Sequence, residues 1–208
     1  MDVIVAIDSG TTSTRVIAFD LDGHVVHSEQ RALPMHYPHP DWVEQDPMDI
    51  WSYTNECLQQ TVAAVGGSHI RSIGITNQRE TSIMWQKSTG TPLGPAINWQ
   101  CRRTTAQCDA LRAHEDVIKS KTGLPMDAYF SASKFQWLYS QAKKSPHAIQ
   151  DDDIAFGTVD AWLLWNLTEG KSFATDVTNA SRTMLFNIHE KRYDDDLCAL
   201  FKIISQND

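Results

Sequence analysis

Two stretches of this 208-residue sequence gather side chains that do chemistry. The first is Asp8-Ser9-Gly10-Thr11-Thr12-Ser13-Thr14-Arg15, a carboxylate, a glycine, a run of hydroxyls and a guanidinium in succession. Gly10 frees the backbone and lets a ligand approach the main chain closely. Thr11, Thr12, Ser13 and Thr14 add hydroxyl donors beside turn N–H groups, and Arg15 adds a cation. Such a turn suits an anionic phosphate, and Asp8 suits a magnesium ion or its water. An ordinary hairpin whose hydroxyls satisfy their own backbone fits the same residues. The second stretch centres on Arg79-Glu80. A guanidinium with fixed donors beside a carboxylate acceptor can grip neighbouring hydroxyls of a small polyol. The pair also fits a surface salt bridge worth under ~1 kcal/mol. Trp99 offers a flat face for the carbons of such a ligand, and Tyr129 a hydroxyl; core packing is the alternative for both.

The elements that must present these residues follow from the apolar pattern. The continuous run at residues 3–7 reads as a strand buried on both faces. Val16-Ile17-Ala18-Phe19 returns after the polar turn as a second strand. Leu21-Asp22-Gly23-His24 is a hairpin signal, and Val25-Val26-His27 opens a third strand. Pro34, Pro38, Pro40 and Pro47 keep regular structure out of the next stretch, which buries Tyr37, Trp42 and Val43. His36 and His39, set among those prolines without a third ligand, read as incidental loop histidines. Asp46-Pro47-Met48-Asp49 starts a helix. Ile50, Tyr53, Cys57, Leu58 and Thr61 continue it until Gly66-Gly67 ends it. Ile70, Ile73 and Ile75 form a strand that delivers Arg79 and Glu80 at its end, where sheets present ligand sites. A further strand spans 81–86 and turns at Ser88-Thr89-Gly90. Beyond Arg102 helices dominate, at 103–113 and at 131–142, the latter burying Phe135, Leu138 and Tyr139. Ile154-Ala155-Phe156 is a short strand, 161–167 an apolar helix, 174–187 a polar turn-rich block, and a last helix begins near Asp194.

The totals narrow the function class. The composition is globular, 41% hydrophobic and 21% charged. A net charge of −8 without a basic cluster argues against nucleic acid or an anionic membrane as partner. No run approaches the ~20 apolar residues of a membrane span, and no signal peptide is legible. Cys57, Cys101, Cys108 and Cys198 lack CxxC spacing, which predicts reduced, buried thiols in a cytoplasmic protein. Neither a GxxxxGK[ST] nor a GxGxxG loop occurs, so a phosphate site at the first stretch is a strand hairpin and not a helix cap.

The stretch at 8–15, then Gly74-Ile75-Thr76-Asn77-Gln78-Arg79-Glu80-Thr81, Trp99-Gln100-Cys101-Arg102-Arg103 and Asp127-Ala128-Tyr129-Phe130-Ser131 follow one another in a recognisable order and spacing. Phe156-Gly157-Thr158-Val159-Asp160-Ala161-Trp162 and the run from Thr175 to Phe186 extend the pattern. In this the sequence resembles the glycerol kinases of the FGGY carbohydrate-kinase family, in the actin-like ATPase superfamily. The resemblance fades after about Leu200. The run Asn77-Gln78-Arg79-Glu80 separates glycerol kinases from sibling sugar kinases.

The resemblance implies an α/β fold: a ribonuclease H-like, actin-like ATPase domain over 1–208, whose mixed sheet has a three-stranded antiparallel start and flanking helices. It implies transfer of the ATP γ-phosphate to a terminal hydroxyl of glycerol. Thr11, Thr12, Ser13 and Arg15 would meet the phosphates of ATP or ADP, with Asp8 near Mg2+. Arg79, Glu80, Trp99 and Tyr129 would line the glycerol pocket. In this family the catalytic-base aspartate and most of the adenine site belong to a second, C-terminal domain, which nothing here matches. The chain alone is therefore expected to be inactive, with a separate C-terminal lobe or a second copy as partner. The lobe of another FGGY sugar kinase and a non-catalytic binding module are the alternatives. Ser9 stands where the family usually has Gln, Ala128 where Pro is common, and the tail Lys202-Ile203-Ile204-Ser205-Gln206-Asn207-Asp208 drifts from the pattern, as a truncated frame would.

Overall fold

A computed structural model describes residues 1–144 and 149–204. Internal contacts divide the chain into two compact units, Met1–Met35 with Gln45–Gln78, and His36–Glu44 with Arg79–Asp208. The drifting tail residues Ser205, Gln206, Asn207 and Asp208 lie outside the described residues.

The first unit holds strands β1 (Val3–Ser9), β2 (Ser13–Asp20) and β3 (Val25–Ala32), helix α1 (Pro47–Val65) and strand β5 (Ile70–Asn77); a two-residue strand, β4 (Glu44–Gln45), falls at the division, Glu44 counting with the second unit and Gln45 with the first. The sheet order is β3-β2-β1-β5. β2 runs antiparallel to both β1 and β3, whereas β5 is parallel to β1. A parallel return needs a long crossover, and α1 supplies it. The antiparallel start and the mixed sheet are thus as expected.

One expectation about β1 is corrected. Val3, Val5, Ile7 and Ser9 are buried, but Ile4 between them is 42% exposed. The strand is buried on one face, not two. Its apolar run hides an ordinary alternation, because α1 packs on one side of the sheet. Asp46 caps α1 by accepting a hydrogen bond from the Met48 N–H at 2.7 Å. Gly66 closes the helix at φ 82°, a conformation that side chains disfavour.

In the second unit β6 (Ile83–Gln86) pairs antiparallel with β8 (Ile154–Gly157). β7 (Ala96–Ile97) lies between them in sequence. Then come α2 (Thr105–Ala110), α3 (Glu115–Thr122), α4 (Ser131–Ala142), α5 (Val159–Leu167), α6 (Val177–Ala180), β9 (Phe186–Asn187), β10 (Arg192–Tyr193) and α7 (Asp195–Leu200). Met84, Ile118, Phe135, Phe156, Leu185 and Phe201 anchor a continuous apolar core. Gly157 permits a close approach: a Cβ there would lie 2.8 Å from that of Ala161.

Two boundaries differ from the sequence reading. The strand expected over 81–86 starts at Ile83, because Thr81 and Ser82 bond elsewhere: Thr81 Oγ1 accepts the Trp99 N–H and Ser82 bridges Ile97. The helix expected over 103–113 shrinks to Thr105–Ala110, followed by a 3-10 turn at Arg112–His114. Arg103 lies ahead of it, its guanidinium packed against the rings of Trp42 and Trp137 at 3.9 and 4.7 Å. All four cysteines are buried and free. No helix among the described residues is long and apolar enough to cross a membrane.

Candidate functional site

The polar turn between β1 and β2 is built from the inside outwards. The Gly10 N–H donates to the Ser13 carbonyl at 2.9 Å, which leaves Thr11 and Thr12 at the tip. Protein donors hold the turn's carbonyls: the Leu33 N–H bonds Thr12 O, and Gln45 Nε2 bonds Thr11 O, both at 2.9 Å. Gln45 is itself fixed by Gln78, whose Nε2 donates to Gln45 Oε1 at 2.8 Å while its backbone N–H donates to Ser9 O at 2.9 Å. This buried amide relay sets the turn's shape. Thr14 is buried and shares a 2.8 Å hydrogen bond with Thr54 Oγ1 on α1, so its hydroxyl is structural.

The remaining groups differ in kind. Thr12 and Arg15 are exposed, and Thr11, Ser13 and Asp8 half-buried. Arg15 donates through Nε and Nη2 to Gln30 Oε1 at 3.1 and 2.8 Å, and Gln30 Nε2 donates to Ser13 Oγ at 3.0 Å. Among the described residues Arg15 has no carboxylate partner. Asp8 pairs with Arg15 across the strands, which sets both side chains on one face. Hydroxyls, a cation unneutralised by any described carboxylate and a carboxylate on one sheet end form an arrangement able to hold a metal-bound phosphate.

The second group of expected residues lies in the second unit. Arg79 and Glu80 follow one another in a bend, so their side chains diverge: Arg79 is exposed, while Glu80 is only 3% exposed. The two do not pair with each other, so the surface salt bridge of the alternative reading does not form among the described residues. Glu80 takes its cation from Arg182, whose Nε donates to Oε1 at 2.7 Å from 102 residues away. The Arg182 guanidinium stands 5.0 Å from the Phe130 ring centroid and 6.0 Å from that of Tyr129. Tyr129 meets Trp99 edge-on at 5.6 Å. Glu80, Trp99 and Tyr129 thus come together, with Arg182 as an unforeseen fourth member. No hydrogen bond, ion pair or ring contact ties Arg79 to them among the described residues.

The segment carrying Tyr129 is pinned twice. Asp127 Oδ1 accepts the Tyr129 N–H at 2.7 Å and Arg102 Nη1 at 2.6 Å. Burial works against that carboxylate, but the bonds from Arg102 and Tyr129 outweigh it and hold its pKa below the usual range. From α4, the fully buried Lys134 ammonium donates to the carbonyls of Ala128, Tyr129 and Phe130 at 2.6, 2.6 and 3.0 Å. Burial pushes Lys134 down from 10.5 to about 7. Three carbonyl acceptors match the three N–H bonds of the charged form, so they act to retain the proton.

Arg182 left no local signal in the sequence, because its partner is remote. Lys134 did leave one: it lies four residues before Leu138, on the apolar stripe of its helix. A separate cavity of about 80 Å³, lined by Phe156, Gly157, Phe173, Thr175 and Tyr193 among others, includes none of these residues. Beside it Asp160 accepts from the Thr158 and Thr175 hydroxyls, and burial raises its pKa. Among the described residues the one cluster of candidate metal-ligating side chains is Asp20, Asp22 and His24, on the exposed β2–β3 turn.

Comparison with known proteins adds the lineage. Residues 3–207 match the FGGY family of carbohydrate kinases, N-terminal domain. A glycerol kinase of Paracidovorax citrulli is 49% identical over 207 residues, covering 98% of this chain and 41% of its relative. One from Rhodopirellula baltica is 49% identical over 206 residues, covering 96% and 38%. The crystal structure of Plasmodium falciparum glycerol kinase with ADP superposes with a TM-score of 0.89 at 35% identity, covering 97% of this chain and 41% of that one. A ligand-bound xylulose kinase of Lactobacillus acidophilus, 22% identical with a TM-score of 0.86, shares the fold. The chain therefore spans about two-fifths of the length of the curated relatives it matches.

Proposed function

The chain belongs to the FGGY family of carbohydrate kinases, and from that premise we propose that residues 1–208 are the N-terminal domain of an ATP-dependent, cytoplasmic glycerol kinase. The observation that carries the reading is the cluster of Glu80, Trp99, Tyr129 and Arg182 in a chain 49% identical to curated glycerol kinases. A buried carboxylate accepts a polyol hydroxyl, and the two rings cover its carbon face. A polyol lacking that hydroxyl leaves the carboxylate unpaired, which is a strong basis for selection. Arg79, exposed and free of a competing ion pair, adds donors to a second hydroxyl.

In the first unit Thr11, Thr12, Ser13 and Arg15 would bind the phosphates of ATP. The Asp8 carboxylate makes no hydrogen bond or ion pair with a described residue, and a lone hard carboxylate beside phosphates fits Mg2+. When bound, that ion would neutralise charge developing on the transferred phosphoryl group. Phosphoryl transfer requires positioning and charge balance of both reactants, of which these residues would supply one part.

For these 208 residues taken alone we propose binding without turnover, with a C-terminal lobe, in the same or a separate chain, or a second copy completing the enzyme. The test measures glycerol-dependent ATP consumption by the chain, alone and mixed with the C-terminal part of the Paracidovorax citrulli relative, alongside calorimetric titration with glycerol. Glycerol binding without turnover, and turnover on mixing, is the expected result. Robust turnover by the chain alone overturns the division of labour. Failure to bind glycerol at any concentration overturns the substrate.

A further inference from the structure

We propose that Arg182 is the positioning residue of the polyol site, setting the Glu80 carboxylate so that one oxygen is committed to the protein and the other is offered to a substrate hydroxyl. The inference rests on the glycerol reading above and deepens it.

Glu80 is 3% exposed, and a carboxylate so far from water needs a cation or donors close by. Its neighbour Arg79 points to solvent and does not pair with it. Arg182 Nε occupies Oε1 at 2.7 Å; Oε2 receives no hydrogen bond from a described residue. The guanidinium lies over Phe130 at 5.0 Å and within 6.0 Å of Tyr129, so a ring proposed to cover the polyol also attracts the cation that orients the acceptor. The backbone reinforces the geometry. Ser131 Oγ donates to the Glu80 carbonyl at 3.1 Å, and the Ala132 N–H donates to Thr183 O, next to Arg182, at 2.8 Å. Glu80, the start of α4 and the Arg182 segment form one hydrogen-bonded unit. Arg182 is 27% exposed in its side chain, less open than a purely surface pair, so its attraction for Glu80 is only partly screened.

The test compares glycerol affinity, by calorimetry and by tryptophan fluorescence, in the full chain and in Arg182→Gln, Arg182→Lys, Glu80→Gln and the Arg182→Gln/Glu80→Gln double variant. Arg182→Gln should weaken binding by about 10–100-fold, as loss of one member of a buried charge pair does. Arg182→Lys keeps the charge without the planar fork and should recover most of it, leaving a deficit of about threefold to tenfold. In the Glu80→Gln background the arginine substitution should add less than about twofold, because a residue acting through Glu80 has nothing left to act on. A fully additive double variant, or an Arg182→Gln protein that binds like wild type, overturns the inference and leaves the glycerol reading standing. A wild-type chain that ignores glycerol overturns the reading beneath it. Should Arg182→Gln not fold, the lysine variant decides: a deficit of threefold or more supports the geometry, and none overturns it.

Discussion

Lys134→Met tests whether a buried ammonium holds the Tyr129 segment in place. The methionine fills nearly the same volume and removes the three charge-assisted bonds to the carbonyls of Ala128, Tyr129 and Phe130. Each buried acceptor left without a donor costs about 1–3 kcal/mol. Against that, folding the variant no longer strips water from an ammonium, a gain of several kcal/mol. Some carbonyls will also find water once the segment relaxes. The balance is a net loss of about 2–4 kcal/mol. For a chain of this size that is about 2–4 °C in Tm per kcal/mol, so a fall of about 4–16 °C. The measurement belongs at pH 6: with a folded value of about 7 against 10.5 in the unfolded chain, Lys134 is charged in both states there. It then reads the carbonyl cage and not a titration. Between pH 7 and 10.5 the unfolded chain keeps a proton that the folded chain sheds, so this group's contribution to stability rises with pH, and the wild-type advantage widens. Glycerol affinity should fall in parallel, since Tyr129 is no longer fixed. A variant as stable as wild type at pH 6, with unchanged glycerol affinity, refutes the cage.

Other outcomes follow from single contacts. Thr14→Val strands the Thr54 hydroxyl in the first unit and should cost about 1–2 kcal/mol in urea unfolding, whereas Thr14→Val with Thr54→Val should recover most of it. Burial raises the Asp160 pKa above 3.8, so the folded chain holds that proton longer than the unfolded one. Wild type should accordingly lose stability relative to Asp160→Asn as pH climbs from 3.8 through the folded value; parallel stability curves would show that the carboxyl titrates normally. Arg15→Ala should weaken binding of Mg2+-ADP about tenfold with unchanged thermal stability, since the Arg15 guanidinium bonds only an exposed glutamine side chain among the described residues. An equal affinity in that variant removes Arg15 from the phosphate site.

Much of this protein was written locally. The Asp46 cap, the Pro47 start and the Gly66 stop of α1 rest on residues one to four positions apart, and each appears where its chemistry requires. The polar turn at 10–12 and the hairpin at Gly23 are local in the same sense. The motif order sufficed to indicate the family, and with it a sheet whose antiparallel start turns mixed at β5.

What the sequence could not supply was partner identity across distance. An Arg beside a Glu looks like a pair, but adjacent residues in a bend point apart, and burial then decides which charge needs a partner. Glu80, sunk in the second unit, found one 102 residues away in Arg182. One-sided packing by α1, invisible in an unbroken apolar run, decided that β1 shows Ile4 to solvent. The cage around Lys134 likewise exists only because the chain turns at 128–130 to aim three carbonyls at one nitrogen. Sequence alone determined the elements and the family, since these depend on short-range periodicity and capping. Tertiary structure alone decided which charges meet, since desolvation and Coulomb energy depend on distance in space.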